Sequence, residues 1–490
     1  MNRLCTALAV AAVLSGCDLA PIYDPPHYLL PDSYQGSGAF GVAQPQDVLS
    51  PRGDWWTLFG DEQLNRLEEQ LNRENPNLEA AAEVYAQARD LAAEAQSQLY
   101  PQIGAQALVS DNRESAHHLF STINVPKEEA SNVIGGVASW EPDFWHAIRN
   151  RAHAQKRLAQ ASAADLETAR LSLEAELAND YIAVRGYDAE LEVLRQSIVA
   201  YQQAVEVARL RTQGKIASGL DLARALSQLD SAQAQETETQ LQRDLMQHAI
   251  AVLVNAMPSG FSIAPVNAFT LTSPPVPAGV PSQLLQRRPD IASAERQMAA
   301  ANASIGVSRA AFYPNITLSA GAGFEDNAFN LISLPNSLWS VGAGATLPLF
   351  EGGLRRAELQ RSWSQYAQTR DGYRSTVLSS FQEVEDGLSL TQRLAVEVAQ
   401  QREASDQATQ ALSISTTLYQ DGLDNYLSVA VAQVTALAEQ TAEVQLQSRQ
   451  MQASVSLIRA LGGGWTVQAL PTEKQTLPFG PLDYGVADKK

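Results

Sequence analysis

The amino-acid sequence predicts an α+β membrane protein in which long helices are continuous with a transmembrane β-barrel shared among several chains. Three observations favour this fold: a long-range internal repeat, two long stretches without proline, and four short segments in which apolar residues alternate with small or polar ones. The chain has 490 residues, of which 45% are hydrophobic, and this composition is typical of a folded protein rather than a disordered one.

The chain begins with the features of a bacterial lipoprotein signal, MNRLCTALAVAAVLSGC. Arg3 precedes an apolar run of 13 residues, 4–16, which is too short to span a bilayer as a helix. The run ends in Leu-Ser-Gly-Cys, which resembles the box at which such signals are cut before the cysteine. We therefore expect residues 1–16 to be removed and Cys17 to be acylated. A secreted protein with a free cysteine is the remaining alternative.

Cysteine usage, charge and histidine spacing argue against several classes of function. Cys5 leaves with the signal and Cys17 carries lipid, so the mature chain has no thiol for a disulfide or a metal. The net charge of −19 repels nucleic acid. The six histidines are scattered, and the sequence contains neither an HExxH nor a GxSxG motif. We therefore expect no enzyme activity, cofactor, metal site or nucleic-acid partner.

Landmarks recur in the same order in the two halves of the chain: a proline, a Tyr-Pro pair, and a second proline followed at long range by a glycine. They are Pro76, Tyr100, Pro142 and Gly214 in the first half and Pro289, Tyr313, Pro348 and Gly422 in the second. The first interval is 24 residues in both halves, and the last is 72 residues in one and 74 in the other. This agreement indicates an internal duplication, with repeats at 53–265 and 266–470 and a tail at 471–490.

Proline placement predicts the helices. Residues 143–257 and 349–470 contain no proline and are rich in Ala, Gln, Leu and Glu, which are strong helix formers. A single helix from Pro142 to Gly214 would already reach about 108 Å. We therefore predict two helical hairpins, about 143–257 and 353–461, with tips near residues 214 and 422. At each tip, glycine is expected to end one helix, and serine or aspartate to cap the next.

Four segments outside the hairpins, two before each of them, are predicted strands: about 102–112, 132–141, 315–326 and 337–347. In the third, Ile316, Leu318, Ala320, Ala322 and Phe324 alternate with Thr317, Ser319, Gly321 and Gly323. An apolar face opposite a small and polar one is typical of a strand between lipid and a hollow lumen. In segment 132–141 the alternation is ambiguous, so the sequence does not show which residues face lipid. A half-buried strand of a soluble sheet is the alternative for any single segment, but their recurrence favours the membrane.

The number of strands implies that several chains associate. Four strands cannot close a membrane barrel, because the smallest known barrels have eight and an open edge leaves backbone groups unpaired in lipid. Several copies must therefore share one barrel. The small residues on the lumen side would leave that barrel hollow.

Four longer segments carry a family resemblance: WWTLFGDEQLNRL (55–67), LLQRRPDIASAERQMAAANASIGVSRAAFYPNITL (284–318), PLFEGGLRRAEL (348–359) and IRALGGGW (458–465). Together they resemble the TolC-like outer-membrane efflux proteins, and most closely the lipoprotein branch that serves resistance–nodulation–division (RND) pumps. The resemblance extends from about residue 50 to residue 466.

The resemblance implies a homotrimer with a 12-stranded barrel in outer-membrane lipid, four strands per chain, continuous with a long periplasmic α-helical barrel. Residues 17–52 look like a lipid anchor and an extended arm. The implied function is a passive exit duct for small molecules, delivered by an inner-membrane pump and a periplasmic adaptor protein. The alternative is an adaptor-type lipoprotein, which would have one helical hairpin flanked by soluble β-domains.

The resemblance also implies that the adaptor docks, and the channel closes, at the two hairpin tips. The residues that match the family at the tips and that we expect to contact the adaptor are Gly214, Ser218, Leu220, Asp221, Gly422, Asp424 and Tyr426. Relatives carry an aspartate in the closed aperture where this chain has Val431. We therefore predict an apolar gate at Leu427 and Val431, with Asp421 and Asp424 forming an acidic mouth.

Asp18 is a second departure from the expected pattern. It follows the predicted lipid-bearing cysteine, a position at which an acidic residue tends to hold lipoproteins in the inner membrane of enteric bacteria. Either the host reads sorting signals differently, or insertion of the barrel overrides the lipid signal.

Overall fold

The computed structural model describes residues 18–26, 28, 31, 34, 54–113, 115, 128–267, 273, 274, 276, 281–328 and 330–483. The predicted signal, 1–16, and the predicted acylation site, Cys17, lie outside the described residues. So do parts of the predicted arm and the end of the predicted tail, 484–490. Within the described part of the chain, no helix is both long enough and apolar enough to cross a bilayer.

The chain is mostly helical, with four strands placed between the helices. The helices are α1 (Glu62–Glu74), α2 (Pro76–Ser97), α3 (Ala147–Gln213), α4 (Gly219–Leu253), α5 (Pro281–Arg287), α6 (Pro289–Ala310), α7 (Leu354–Gln420) and α8 (Tyr426–Ala460). The strands are β1 (Gln102–Arg113), β2 (Glu128–Trp140), β3 (Asn315–Asp326) and β4 (Ser337–Thr346). A short 3-10 helix, Trp55–Phe59, precedes α1.

The strands form one antiparallel sheet in the order β1-β2-β3-β4. Leu318 and Ala320 of β3 pair with Ala343 and Val341 of β4, so the predicted apolar faces of these strands coincide. Ala320 also pairs with Ala138 of β2. The even-numbered residues of β2 therefore share the apolar face, and strand pairing settles the phase that was ambiguous in the sequence.

β2 begins four residues before its predicted start at 132. Glu128 pairs with Arg113 at the end of β1, and their side chains form an ion pair with an N–O distance of 3.3 Å. This polar, paired end lacks the apolar alternation on which the prediction rested.

Neither face of the sheet is covered by the rest of the described chain. On the apolar face, Trp339 and Val341 are 77% and 76% exposed. On the opposite face the residues of β3 are small, and at Gly323 even a methyl group would collide with the carbonyl oxygen of Ile134. β1 and β4 lie at the two ends of the sheet, and each has one strand neighbour among the described residues.

The two hairpins are equal in length. The outgoing helices α3 and α7 have 67 residues each, and the return helices α4 and α8 have 35 each. Each return helix therefore covers about half of its partner. The remaining half of α3 is covered by α2 and α6, and α6 also contacts α7. Both covering helices have 22 residues.

Residues 54–74, which we call the strap, cross the middle of α3. Trp55 and Phe59 lie in the main apolar core together with Leu177 and Tyr181 of α3. Asp61 caps α1, because its carboxylate accepts hydrogen bonds from the N–H groups of Gln63 and Leu64. It also accepts one from the Tyr181 hydroxyl at 2.9 Å. The strap is thus fastened to α3 by both apolar packing and hydrogen bonds.

Candidate functional site at the hairpin tips

The first tip joins α3 to α4 through residues 214–218. Gly214 follows the helix with an ordinary φ of −74°, and the left-handed residue is Lys215, with φ of 58°. The N–H of Lys215 donates to the carbonyl of Thr212 at 3.1 Å, and that of Ile216 to the carbonyl of Arg211 at 2.8 Å. This is the Schellman pattern. The helix ends at the predicted glycine, but the turn does not use that glycine's conformational freedom.

The second tip joins α7 to α8 through residues 421–425. Here Asp421 follows the helix and Gly422 is the left-handed residue, with φ of 74°. The N–H of Leu423 donates to the carbonyl of Leu418 at 2.8 Å, which completes the same Schellman pattern. The predicted glycine therefore performs its expected role at this tip.

Side chains cap both return helices. The Ser218 hydroxyl accepts a hydrogen bond from the N–H of Leu220 at 3.1 Å, as predicted for a serine cap. At the second tip the cap is Asn425, whose side-chain oxygen accepts from the N–H of Leu427 at 2.9 Å. The expectation of an aspartate cap is wrong there, because the carboxylate of Asp424 accepts from the N–H of Asn425 instead.

Arg211, which the motif comparison did not single out, connects the two tips. Its guanidinium donates to the carbonyls of Tyr419 and Gln420 at 2.9 and 3.1 Å, and lies 4.3 Å from the centre of the Tyr419 ring. The last carbonyls of a helix have no partner within the helix, so a cation from α3 satisfies the end of α7. An arginine in the last turn of α3 was the only signal for this contact in the sequence.

The predicted adaptor-contact residues are not equally accessible. Gly214, Ser218, Leu220 and Gly422 are exposed, and Asp221 and Asp424 are half-buried. Tyr426 is only 1% exposed, because its ring packs in an apolar cluster and meets the Tyr419 ring at 5.6 Å. Burial and the neighbouring tyrosines raise the pKa of Tyr426 to about 12. Tyr426 thus supports the tip from inside, and its role in docking stays a prediction.

The predicted gate residues lie on the outward side of α8. Leu427 and Val431 are 49% and 58% exposed, one helical turn apart, and Val434 continues the row at 58% exposed. Asp421 is exposed at the turn itself. Among the described residues, no cluster of three or more His, Cys, Asp or Glu side chains is placed to hold a metal ion.

At the opposite end, the chain next to Cys17 is seated on α3 and α6. The carboxylate of Asp18 accepts hydrogen bonds from the N–H of Ala20 and the amide of Asn150, both at 3.0 Å. Burial alone would raise the pKa of Asp18, but these hydrogen bonds outweigh it and the pKa is lowered. Arg309 donates to the carbonyl of Leu19 at 3.0 Å. The carboxylate of Asp18 thus has hydrogen-bond partners within the chain itself.

Comparison with known proteins places this architecture in a family. The family model described as outer membrane efflux protein matches residues 67–256 and 280–463. The chain is 28% identical over 464 residues to the outer membrane protein OprJ of Pseudomonas aeruginosa, covering 94% of this chain and 95% of that protein. It is 31% identical over 418 residues to the pyoverdine export outer membrane protein OpmQ of the same species, covering 84% and 87%.

Solved structures show the same fold. A membrane protein from Pseudomonas aeruginosa superposes with a TM-score of 0.84 at 27% identity, covering 92% of this chain and 98% of that one. With the family model matched over both halves of the chain, and with relatives aligned over most of their length, the chain belongs to the outer membrane efflux protein family.

Proposed function

We propose that this outer-membrane efflux channel protein is the passive exit duct of a tripartite system, built as a homotrimer with a 12-stranded barrel. An inner-membrane pump, of the RND type, delivers small molecules through a periplasmic adaptor. The adaptor role itself is not proposed, since the chain has two hairpins and matches the efflux family over both halves. The observation that carries the proposal is the sheet, which the described residues leave open at both edges and uncovered on both faces.

The open edges support the trimer. In a bilayer, the free N–H and C=O groups of an edge strand have no water to bind, so β1 and β4 require partners. Pairing β4 of one copy with β1 of the next satisfies both edges, and three copies of four strands give a closed ring of 12. The apolar face with Trp339 and Val341 then faces lipid, and the small-residue face lines the lumen.

The helix lengths support the duplication and the periplasmic barrel. Each half contains a helix of 22 residues, one of 67 and one of 35, in the same order. We therefore assign the first repeat to 53–265 and the second to 266–470. A helix of 67 residues is about 100 Å long, which suits a duct that projects from the outer membrane into the periplasm.

The tips are the proposed adaptor contacts and the proposed gate. Exposed apolar side chains stand at the turns themselves, with Ile216 at 79% and Leu423 at 74% exposed. Together with Ser218, Leu220 and Asp221, they offer the mixed apolar and polar surface that protein partners use. Leu427 and Val431 are proposed to close the aperture, with Asp421 and Asp424 at its mouth.

Acylation of Cys17 is proposed as a second anchor beside the barrel. Each buried CH₂ adds ~0.8 kcal/mol of membrane affinity, so several acyl chains hold the N-terminus firmly. Changing Cys17 to alanine should abolish acylation and leave part of the protein in the outer membrane, as measured by mass spectrometry and membrane fractionation. A folded, fully soluble Cys17→Ala protein would contradict the barrel.

The experiment that tests the duct compares adjacent positions on β3. Ala320→Arg places a charge toward lipid and should cost roughly 2–4 kcal/mol near the bilayer midplane, lowering the yield of folded trimer. Gly321→Arg points to the lumen, where a new Cβ meets the Ser340 hydroxyl at an ordinary 3.4 Å. This variant should fold normally and lower the single-channel conductance. Equal effects of the two variants would show that the assigned faces are wrong.

A further inference from the structure

Glu68 is a carboxyl group buried in an apolar core without a hydrogen-bonding partner. It lies on the core-facing stripe of α1 with Leu64, Leu67 and Leu71, and none of its surface is exposed. Neither carboxyl oxygen has a partner among the described residues. An ionised carboxylate in such a place is strongly unfavourable, because burial removes its hydration and nothing replaces it. The neutral acid is the form that this site accepts.

A second buried carboxyl, Glu174 on α3, stands near the first. It is 4% exposed, and its Oε2 accepts a hydrogen bond from the Trp55 indole N–H at 3.0 Å. Burial raises the pKa of Glu174 to about 7, against hydrogen bonds from Asn72 and Trp55 that lower it. Burial and the charge of Glu174 also raise the pKa of Glu68 well above its usual value.

Arg170, the positive charge near the pair, offsets the negative charge of the two carboxyls only weakly. Arg170 lowers the pKa of Glu174, whereas Glu167 raises it. Arg170 is itself paired with Glu167 at 3.2 Å, and its side chain is 40% exposed. The site therefore holds two carboxyls and an arginine that is already engaged elsewhere.

A cavity lies beside Glu174. Glu174 lines a cavity of about 470 Å³ between α2, α3 and the chain after α8, whereas Glu68 does not line it. The titratable residues in its wall are Tyr85, Glu167, Arg170 and Glu174. Protons thus reach Glu174 through the cavity, and Glu68 lies behind it in the core.

We propose that Glu68 and Glu174 form a proton-holding pair that fastens the strap to α3 when protonated and loosens it when both carboxyls ionise. Glu68 and Trp55 belong to the strap, and Glu174 belongs to α3, so repulsion between two carboxylates acts directly across this contact. The pair would make the middle of the helical region responsive to periplasmic pH, a property separate from the duct function.

The direction of the effect follows from the raised pKa values. The folded form binds these protons more tightly than the unfolded form does, so attachment of the strap is strongest below the ordinary glutamate pKa. It weakens as the pH rises toward and through about 7, the pKa of Glu174. It weakens further when Glu68 ionises as well, since burial and the charge of Glu174 raise the pKa of Glu68 well above its usual value.

The test is hydrogen–deuterium exchange of strap peptides in the intact trimer, corrected for the pH dependence of chemical exchange. Between about pH 5 and about pH 9, protection of the strap should fall at least about tenfold, since one pKa unit corresponds to a factor of ten. Glu68→Gln should make this fall smaller, because only Glu174 then ionises at the contact, and should leave the strap better protected at high pH than in the unchanged protein. Glu69→Gln, an exposed neighbour on the same helix, is the matched control and should behave as the unchanged protein.

A second readout detects the proton itself. Infrared spectra at neutral pH should contain the C=O stretch of a protonated carboxylic acid, and Glu68→Gln should weaken this band, with the remainder coming from Glu174. The proposal is overturned if that band is absent, or if Glu68→Gln and Glu174→Gln both leave the pH dependence of the strap intact. Single-channel conductance of Glu68→Gln should be unchanged, so failure here leaves the duct proposal standing.

Discussion

The two hairpin tips share one backbone design and carry different side chains. Each has five residues between its helices, a Schellman turn and a side-chain cap, so Ser218 corresponds to Asn425. The left-handed position is Lys215 at the first tip and Gly422 at the second. The difference shows that the turn geometry is held by hydrogen bonds and packing at both tips, while only the second has the residue that adopts it without strain.

The return helices differ along the row that faces away from the chain. At the second tip this row is Leu427, Val431 and Val434; the matching positions at the first tip are Leu220, Arg224 and Ser227. All three residues of the second row are at least 49% exposed. An apolar row repeated in three copies can exclude water, whereas a row with arginine and serine remains hydrated. This contrast is the reason for proposing that the second tip closes the aperture and that the first makes contacts outside it.

The largest expected effect concerns this apolar row. Leu427→Ser or Val431→Ser should raise conductance in planar bilayers several-fold at every pH tested, because an apolar ring blocks ions by dewetting and a hydroxyl restores water. Leu220→Ser, at the matching position of the first tip, is the control and should leave conductance nearly unchanged.

Changing the acidic residues at the second tip tests whether charge, rather than apolar packing, closes the gate. Asp421→Asn combined with Asp424→Asn should mainly change cation preference and adaptor affinity, since solvent and salt screen charges at an open mouth. If this pair opened the channel while the apolar variants had no effect, the gate would be electrostatic and the contrast between the tips would lose its functional meaning.

The contact that holds the tips together comes next. Arg211→Ala removes two charge-assisted hydrogen bonds and a cation–π contact, and should lower the local opening free energy of both tips by roughly 1.5–3 kcal/mol. Native-state hydrogen exchange of the tip peptides measures this loss. Arg209→Ala is the control, because the Arg209 side chain is 49% exposed and forms an ion pair with Glu206 on the same helix. Comparable losses in both variants would show that the joint is not specific to Arg211.

The sequence predicted the parts of this fold that depend on local patterns. Proline exclusion located both hairpins, and alternation located β3 and β4, because helix formation and strand pleating are properties of consecutive residues. The phase of β2 needed its neighbours, since Gly135 and Gly136 leave no apolar contrast to read. Arg211 was missed because its partners are more than 200 residues away in the chain.

Side-chain roles at the candidate site were less predictable for the same reason. Tyr426 matches the family pattern, but the packing of two hairpins decides that it is buried. Glu68 occurs in the polar run Glu-Glu-Gln, and only the orientation of α1 against α3 places it in the core. Gly214 was the natural choice for a turn, yet the adjacent lysine took the left-handed conformation.

A smaller effect distinguishes the two glycines. Gly422→Ala introduces a Cβ at a φ of 74° and should destabilise the second tip by about 1–2 kcal/mol. Gly214→Ala, at a φ of −74°, has no such strain and should change the first tip by less than about 0.5 kcal/mol. Exchange of the tip amides measures both. Equal losses would mean that the contacts of a new Cβ at position 214, with Ile216 and the Leu210 carbonyl at 3.4 Å, cost as much as the backbone strain at position 422.

The smallest expected effect would bring the first tip closer to the second. Lys215→Gly removes left-handed strain of about 1–2 kcal/mol but adds freedom to the unfolded chain worth about 0.5–1 kcal/mol. The net result should be a tip stabilised by roughly 0.5–1 kcal/mol, seen as slower exchange of the Lys215 and Ile216 amides, which donate to Thr212 and Arg211. Lys215→Ala, which keeps the strain and removes the charge, should bring no such gain. If alanine stabilised the tip as much as glycine, the lysine charge would be the destabilising feature, and the two turns would be equivalent in their backbone energetics.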